Sequence, residues 1–462
     1  MNENRNIDSL RHYKSNKVTT SYKRSYGRVG IKKIRIGRKV GFFVPIVFII
    51  ISISLVYLSI FQTKIYQIAF LIEKMKNQSI LIGFQNSAEL RPTGGFWGSF
   101  AILDIRSDIL DSTIYFDTNP YKQDNELLKE SDTELPDPMK QLWKGRPQSF
   151  VNANWPASFP ESAKTLQWYF GQGWGDKSVS GVIALSSLSL IDLLEITGPV
   201  SLSDGTEVNN NNFTQIMSEK IDSEYWLDEK NKSINEPKTI IKELFPKIID
   251  KTKNLPRIKI YKFLTDQMSR GRILAYFNNK KLNLTVKKLK ISGDLLPYKA
   301  DYLSVNNANI SGNKSSLNII QHVNYQVENL DGKFLSALSL TRSHIDRWPH
   351  SQNTNYTRVF TPLGSQLKSA KLGSDDITNS LSIQQESGRT VFGFWFNTDC
   401  GQQKTAFIEY YLPQEIPNGK YSLTYQKQNG TLADWLNINV SDKILFAGEF
   451  DKTSQVFLYR EN

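Results

Sequence analysis

The chain has 462 residues, a net charge of +12 and one cysteine, Cys400, which excludes an intrachain disulfide and a cysteine metal cluster. Residues 1–39 carry twelve Lys/Arg against Glu3 and Asp8, so residues 40–462 hold only +2. The basic character therefore belongs to a short tail, and nothing beside it reads as a base-recognising fold, so no nucleic-acid partner is expected.

Directly behind the tail, residues 40–61 (VGFFVPIVFIIISISLVYLSIF) run without a charge. A helix of that length rises roughly 33 Å, enough to cross a bilayer with every backbone group satisfied internally. The cations ahead of it predict a cytoplasmic N-terminus resting on anionic lipid and an extracytoplasmic remainder: an integral, single-pass protein of the plasma membrane. A cleaved signal peptide is the competing reading. It calls for a shorter apolar region and small cleavage residues, whereas this span ends in Gln62-Thr63-Lys64. An exterior part without disulfides suits a bacterial envelope.

Helical spacing continues through Ile65, Ile68, Leu71 and Ile72, which predicts a stalk helix over 62–78. Strands are expected at 79–84, 95–105 and 111–116, followed by a polar, proline-bearing surface excursion over 118–150. A helix at 161–170, a buried strand at 178–187 and a helix at 188–197 come next. Gly198-Pro199 closes that last helix, glycine taking positive φ and proline barring continuation. A short hairpin about Asp204-Gly205 and helices at 237–253 and 257–268 complete an α/β or α+β core over 79–300. From 301 to 462, about nine short alternating stretches separated by Gly, Asn, Asp and Pro predict an antiparallel, Ig-like β-sandwich.

Two stretches carry candidate chemistry. In Asn86-Ser87-Ala88-Glu89-Leu90-Arg91-Pro92-Thr93-Gly94-Gly95-Phe96, a turn presenting Arg91, the Thr93 hydroxyl and backbone N–H groups can bind phosphate or carboxylate. The same residues also read as a Glu89–Arg91 ion pair, with Gly94-Gly95 leading the chain into the next strand. In Val151-Asn152-Ala153-Asn154-Trp155-Pro156, Asn152 and Asn154 suit hydroxyl contacts and Trp155 suits a sugar face; an Asx-turn before a helix, with Trp155 buried, is the alternative. No G-x-S-x-G elbow, Walker loop or H-E-x-x-H is present. His344, Asp346 and His350 lack a convincing fourth metal ligand.

NSAELRPTGGF (86–96), NANWPASFPESA (152–163), SGVIALSSLSLIDLLEITGPV (180–200), YLSVNNANISGNKSS (302–316) and TRVFTPLGS (357–365) occur in order along the chain. With them the chain resembles the bacterial membrane-anchored family known as domain of unknown function 4012. That likeness implies an envelope location and no assigned activity. Residues 79–200 also resemble, more remotely, the LytR-CpsA-Psr phosphotransferases, which join polyprenyl-pyrophosphate-linked glycopolymers to peptidoglycan. Arg91-Pro92-Thr93 looks like that family's Arg-Ser-Asp-Thr element, and Thr113–Thr118 like its Ser-Ile-Pro-Arg-Asp-Thr. The resemblance implies Arg91 as a pyrophosphate contact, and Asp117 as a proton acceptor or the ligand of a divalent metal such as Mg. Phe116 stands where that family has an arginine, and Pro92 displaces an aspartate, which removes charge that phosphoryl transfer uses. The expectation is an anchored envelope protein that binds or displays a cell-wall glycopolymer or surface component. The alternatives are a lipid-linked glycopolymer transferase and a structural assembly protein.

Overall fold

The computed structural model describes residues 63–460, except 107–111, 118–119, 128–133, 175–177, 235, 331, 348–350 and 414–419, together with residues 52 and 59. The tail, nearly all of the apolar 40–61 run, Thr118 and His350 lie outside the described residues. Among the described residues no helix is long and apolar enough to cross a membrane. The chain divides into two units, Met1–Ile60 and Phe61–Asn462.

The second unit begins with a part built on a five-stranded sheet of β1 (Gln78–Asn86), β2 (Phe96–Ile105), β3 (Thr113–Asp117), β4 (Gly181–Ser186) and, after the short β5 (Val200–Ser201) and β6 (Glu207–Val208), β7 (Ile273–Phe277). The order is β3-β2-β1-β4-β7. β1 and β4 run parallel and the other pairs antiparallel. Successive residues of β1 face opposite ways, so Leu81 enters one core and Ile80 another. Both faces are covered, which is why SILIGF reads as a continuous apolar run.

On the Leu81 side lie Trp97, Phe100, a 3-10 turn at Phe150–Asn152 and the helix Phe159–Gly173. Gly83 leaves room for the Trp97 ring, which a Cβ there would meet at 1.9 Å. On the Ile80 side lie the helices Lys64–Lys74, Arg257–Ser269 and Lys280–Lys288. The helix expected as a stalk thus buries Leu71 and Met75 against this sheet. The helix Ser187–Thr197 starts at an N-cap, Ser186, that accepts from Leu188 N at 3.2 Å, and it ends at Gly198 with φ +80°. With the β5–β6 hairpin and the helices Phe213–Ser218 and Thr239–Thr252, it forms a helical cap with its own core.

The C-terminal part holds a seven-stranded and a six-stranded sheet, both feeding one core that includes Leu303, Tyr325, Leu338, Val359, Ile408 and Leu423. It departs from the wholly antiparallel sandwich expected. Lys420–Gln426 runs parallel to β8 (Asp301–Asn309), and Asp434–Val440 parallel to Ile319–Leu330. These strands arrive from distant parts of the chain, so no hairpin fixes their direction. β8 is buried along its whole length, because one face enters the sandwich core and the other meets the α/β part.

Asp301 lies wholly inside, accepting from Tyr325 Oη at 2.7 Å and from the Tyr421 hydroxyl, and burial raises its carboxyl to about 6. The folded state therefore holds that proton more tightly than the unfolded chain. Its contribution is complete below the ordinary carboxylate range and is lost as pH rises through about 6. Asp301→Asn is expected to remove a pH-dependent loss of roughly 3 kcal/mol, seen as a flatter denaturation midpoint against pH. An unchanged profile would count against it.

Candidate functional site: an apolar cavity with a charged end

The parallel pair β1 and β4 runs to Gln85 opposite Ser186, with Phe84 and Leu185 side by side one step before. Beyond those carboxyl ends, between sheet and helical cap, is a cavity of about 400 Å³. Its apolar wall is Phe84, Leu185, Leu190, Phe213, Met217 and Phe245, with the Phe84 and Phe245 rings 4.3 Å apart. Its polar end holds Glu89, Lys238, Asp222 and Lys314. Lys314 pairs with Asp222. The Lys238 ammonium donates to Gly98 O at 2.6 Å and stands 5.4 Å and 5.3 Å from the centres of the Phe96 and Tyr121 rings. Burial lowers it to about 8, opposed by the Glu89 carboxylate.

A second cavity, of about 200 Å³, shares Glu89, Phe96 and Tyr121 with the first and is otherwise more polar, adding Arg91, Arg146, Ser149 and Asn152. Arg91 is 1% exposed; its guanidinium donates to Asn309 O and to Glu89 Oε1, the latter at 3.0 Å. Burial raises the Glu89 carboxyl and lowers the Arg91 guanidinium, and each opposes the shift in the other. Arg91 Nε and Asn152 Oδ1 have no hydrogen-bond partner, an expensive condition for buried groups and one a polar ligand relieves. Asp124 holds this wall, accepting from Phe150 N at 2.8 Å and Val151 N at 3.2 Å.

The 86–96 stretch proves to be an internal junction. Asn309 N donates to Leu90 O at 2.9 Å, Asn306 Nδ2 to Pro92 O at 2.9 Å, and Gln428 Nε2 to Arg91 O at 3.0 Å. Gly94 (φ +122°) lies against Gly430, where a Cβ would meet Gly94 O at 2.3 Å. Thr93 and Asn154 are both fully buried; Asn154 Nδ2 donates to Thr93 Oγ1 at 3.0 Å and to Gly95 O at 2.9 Å. Of the expected site residues, the structure thus unites Glu89, Arg91 and Asn152 at one cavity. It ties Thr93, Gly94, Gly95 and Asn154 into the turn behind it.

Trp155 borders a separate cleft of about 210 Å³ with Tyr356, Arg358 and Gln384; the Arg358 guanidinium lies 4.5 Å from its ring centre and 2.5 Å from Glu386. The backbone of Asp117 ends β3 opposite Phe100, and its side chain lies outside what is described. Among the described residues no three His, Cys, Asp or Glu converge as a metal site requires.

Residues 76–221 match the family described as "Protein of unknown function (DUF4012)". That span contains the junction, the Asn152–Trp155 turn and the first half of the cap. No curated protein matches the chain. Solved structures show weak likeness. A protein described as nutrient-binding from Legionella pneumophila is 7% identical with a TM-score of 0.23, over 30% of this chain and 54% of that one. An M1 zinc metallopeptidase from Deinococcus radiodurans is 11% identical with a TM-score of 0.19, over 31% and 39%. The leukotriene A4 hydrolase of Saccharomyces cerevisiae is 7% identical with a TM-score of 0.17, over 31% and 29%. The chain thus spans about half the length of the first of these and less of the others.

Lys238, Asp222 and Arg146 are site residues outside every motif read in the sequence, and Lys314, though within 302–316, carries no signal there that marks it as a site residue. Lys238 sits at the start of an expected helix, but its partner Gly98 is 140 positions away, and no local pattern marks that meeting.

Proposed function

We propose that this chain is a single-pass, N-in envelope protein whose exterior part binds a polyprenyl-linked cell-wall glycopolymer without turning it over. In this reading the α/β part has a LytR-CpsA-Psr-like shape and the sandwich is Ig-like. The supporting observation is the pair of adjoining cavities, a mostly apolar one of about 400 Å³ and a more polar one of about 200 Å³, sharing Glu89, Phe96 and Tyr121, an arrangement that suits a lipid tail and its head. Cavities of about 300–1,000 Å³ that are mostly apolar with a few converging polar groups are the usual form of ligand sites. Their place beyond the carboxyl ends of parallel strands is where open α/β sheets take ligands. The Trp155–Tyr356 cleft offers aromatic faces and the Gln384 amide to sugar.

Binding is preferred to transfer because the Arg91 guanidinium is charge-paired with Glu89 and donates to Asn309 O, leaving only Nε for a ligand. A cation so neutralised has little left for developing phosphoryl charge.

Met217 lines the apolar cavity while only partly buried, so Met217→Trp is expected to fill it without unfolding the cap. Mass spectrometry of lipid extracted from the purified full chain should find prenyl lipid with the wild type and at least tenfold less with the variant, corresponding to about 1.4 kcal/mol. Equal amounts in both, or none in either, would sink the proposal. Release of polyprenyl phosphate on incubation with a lipid-linked glycan would move it to the transferase.

A further inference from the structure

Residues 238–290 carry fifteen Lys/Arg against Glu243, Asp250 and Asp266, a local +12 inside a 40–462 region whose total is only +2. The near-neutral sum therefore hides a strongly basic segment. Three helices share the layer on the Ile80 side of the sheet, joined by Leu71, Met268, Leu282 and Val286 in one core, and two of them belong to that segment. Along Lys280–Lys288 the inward residues are Leu282, Thr285 and Val286. On its outer side Leu284 is 61% exposed, and Lys280, Lys281, Lys287 and Lys288, all exposed, stand at i−4, i−3, i+3 and i+4 from it. Those four positions are its neighbours on the helix surface. Lys287 also meets Asp294 at 3.0 Å, with the lysine still 60% exposed, and such a pair is weak. On Arg257–Ser269, Ile258 is 59% exposed between Arg257 and Lys259, with Lys262 at i+4; on Lys64–Lys74, Ile65 is 59% exposed beside Lys64.

We propose that this helical layer is a lipid-docking face: Leu284 inserts at the boundary of an anionic leaflet while its four lysines meet the headgroup phosphates. An apolar residue ringed by long cationic side chains is the pattern of interfacial helices, because the lysine stems lie along the apolar surface while their ammonium groups reach the phosphates. The occupant follows from charge and from where the chain goes. Only Gln62 and Thr63 separate the apolar 40–61 run from the first of these helices, roughly 10 Å of extended chain between Phe61 and Lys64. The inference rests on the anchor reading and is independent of the cavities.

The test uses the full chain with Cys400→Ser and Leu284→Cys, spin-labelled at 284 and reconstituted in phosphatidylcholine vesicles with or without phosphatidylglycerol. The expected result is a several-fold fall in accessibility to a water-soluble nickel chelate, and a rise toward oxygen, only with phosphatidylglycerol. Lys→Gln at 280, 281, 287 and 288 should reverse both. A label equally open to the chelate in both vesicles overturns the inference alone. Protection by soluble polyphosphate but not by phosphatidylglycerol overturns it in favour of a wall polyanion. A chain that inserts in neither vesicle overturns it together with the anchor.

Discussion

Arg91→Ala is expected to destabilise the folded part by roughly 3–5 kcal/mol, the range for breaking one side of a buried ion pair. The arginine is 1% exposed and the Glu89 side chain 9%. Deleting the guanidinium leaves that carboxylate inside without its 3.0 Å partner and strips a donor from Asn309 O. It also removes a cation 5.2 Å from the Phe96 ring centre and 5.9 Å from that of Trp143. Chemical denaturation followed by tryptophan fluorescence would show the midpoint shift. Replacing both partners by apolar groups of similar shape, Glu89→Leu with Arg91→Met, should recover more than half of the loss, because no orphaned charge remains. A single variant that folds normally yet loses ligand would instead make Arg91 a contact residue first. Because Asn309 belongs to β8, the expected loss falls on the join between the α/β part and the sandwich.

Features that depend on neighbours in sequence are legible. Gly198-Pro199 ends its helix as its chemistry requires, and alternating segments such as Ile319–Leu330 form strands with Val323, Tyr325 and Val327 inward. Where contact partners are distant, local reading stops short. Arg-Pro-Thr-Gly-Gly has the composition of an exposed turn, but what buries it is β8 and Gln428, the latter 337 positions from Arg91. In β8, Asn306 interrupts the apolar alternation because it donates to Pro92 O in the α/β part, whereas Asn307 and Asn309, on the opposite face, bond within the C-terminal part to Gln321 and to Asn313 and Ser316. The 118–150 excursion contains the helices Pro120–Leu127 and Asp137–Leu142, and Asp124, Leu135 and Met139 are buried there. Their prolines mark helix starts, not loops. The edge strand β7 is hard to read because ILAYF is short and lies between two basic helices. The candidate site is half visible in the sequence: Glu89, Arg91 and Asn152 stand out, whereas the apolar wall comes from cap residues that read as ordinary core.

Lys238→Met is expected to weaken binding of an anionic-headed prenyl lipid by roughly ten- to a hundredfold, the scale of a lost hydrogen bond to a charged group, and to flatten its pH dependence. With Lys238 lowered to about 8, the ammonium is charged below that pH and neutral above it. An anionic head binds the charged form, so wild-type affinity should hold up to about pH 8 and then fall, by up to tenfold per unit, until the complex itself loses the proton. The same group has an opposite signature in stability. The unfolded chain keeps a lysine proton up to the ordinary value of 10.5, so unfolding takes up a proton between about 8 and 10.5 and stability rises with pH there. Lys427, also lowered to about 8 by burial, adds a similar rise, so the difference between wild type and variant is the quantity to measure. Methionine fills the space of the lysine stem and leaves Gly98 O without its 2.6 Å donor, which should cost the fold little beside the loss in binding. Lys238 stands at the seam of the two cavities, beside Phe96 and Tyr121; a variant that binds as tightly as wild type, with the same fall above pH 8, would place the anionic head deeper in the second cavity, at Arg91 and Arg146 and out of reach of Lys238.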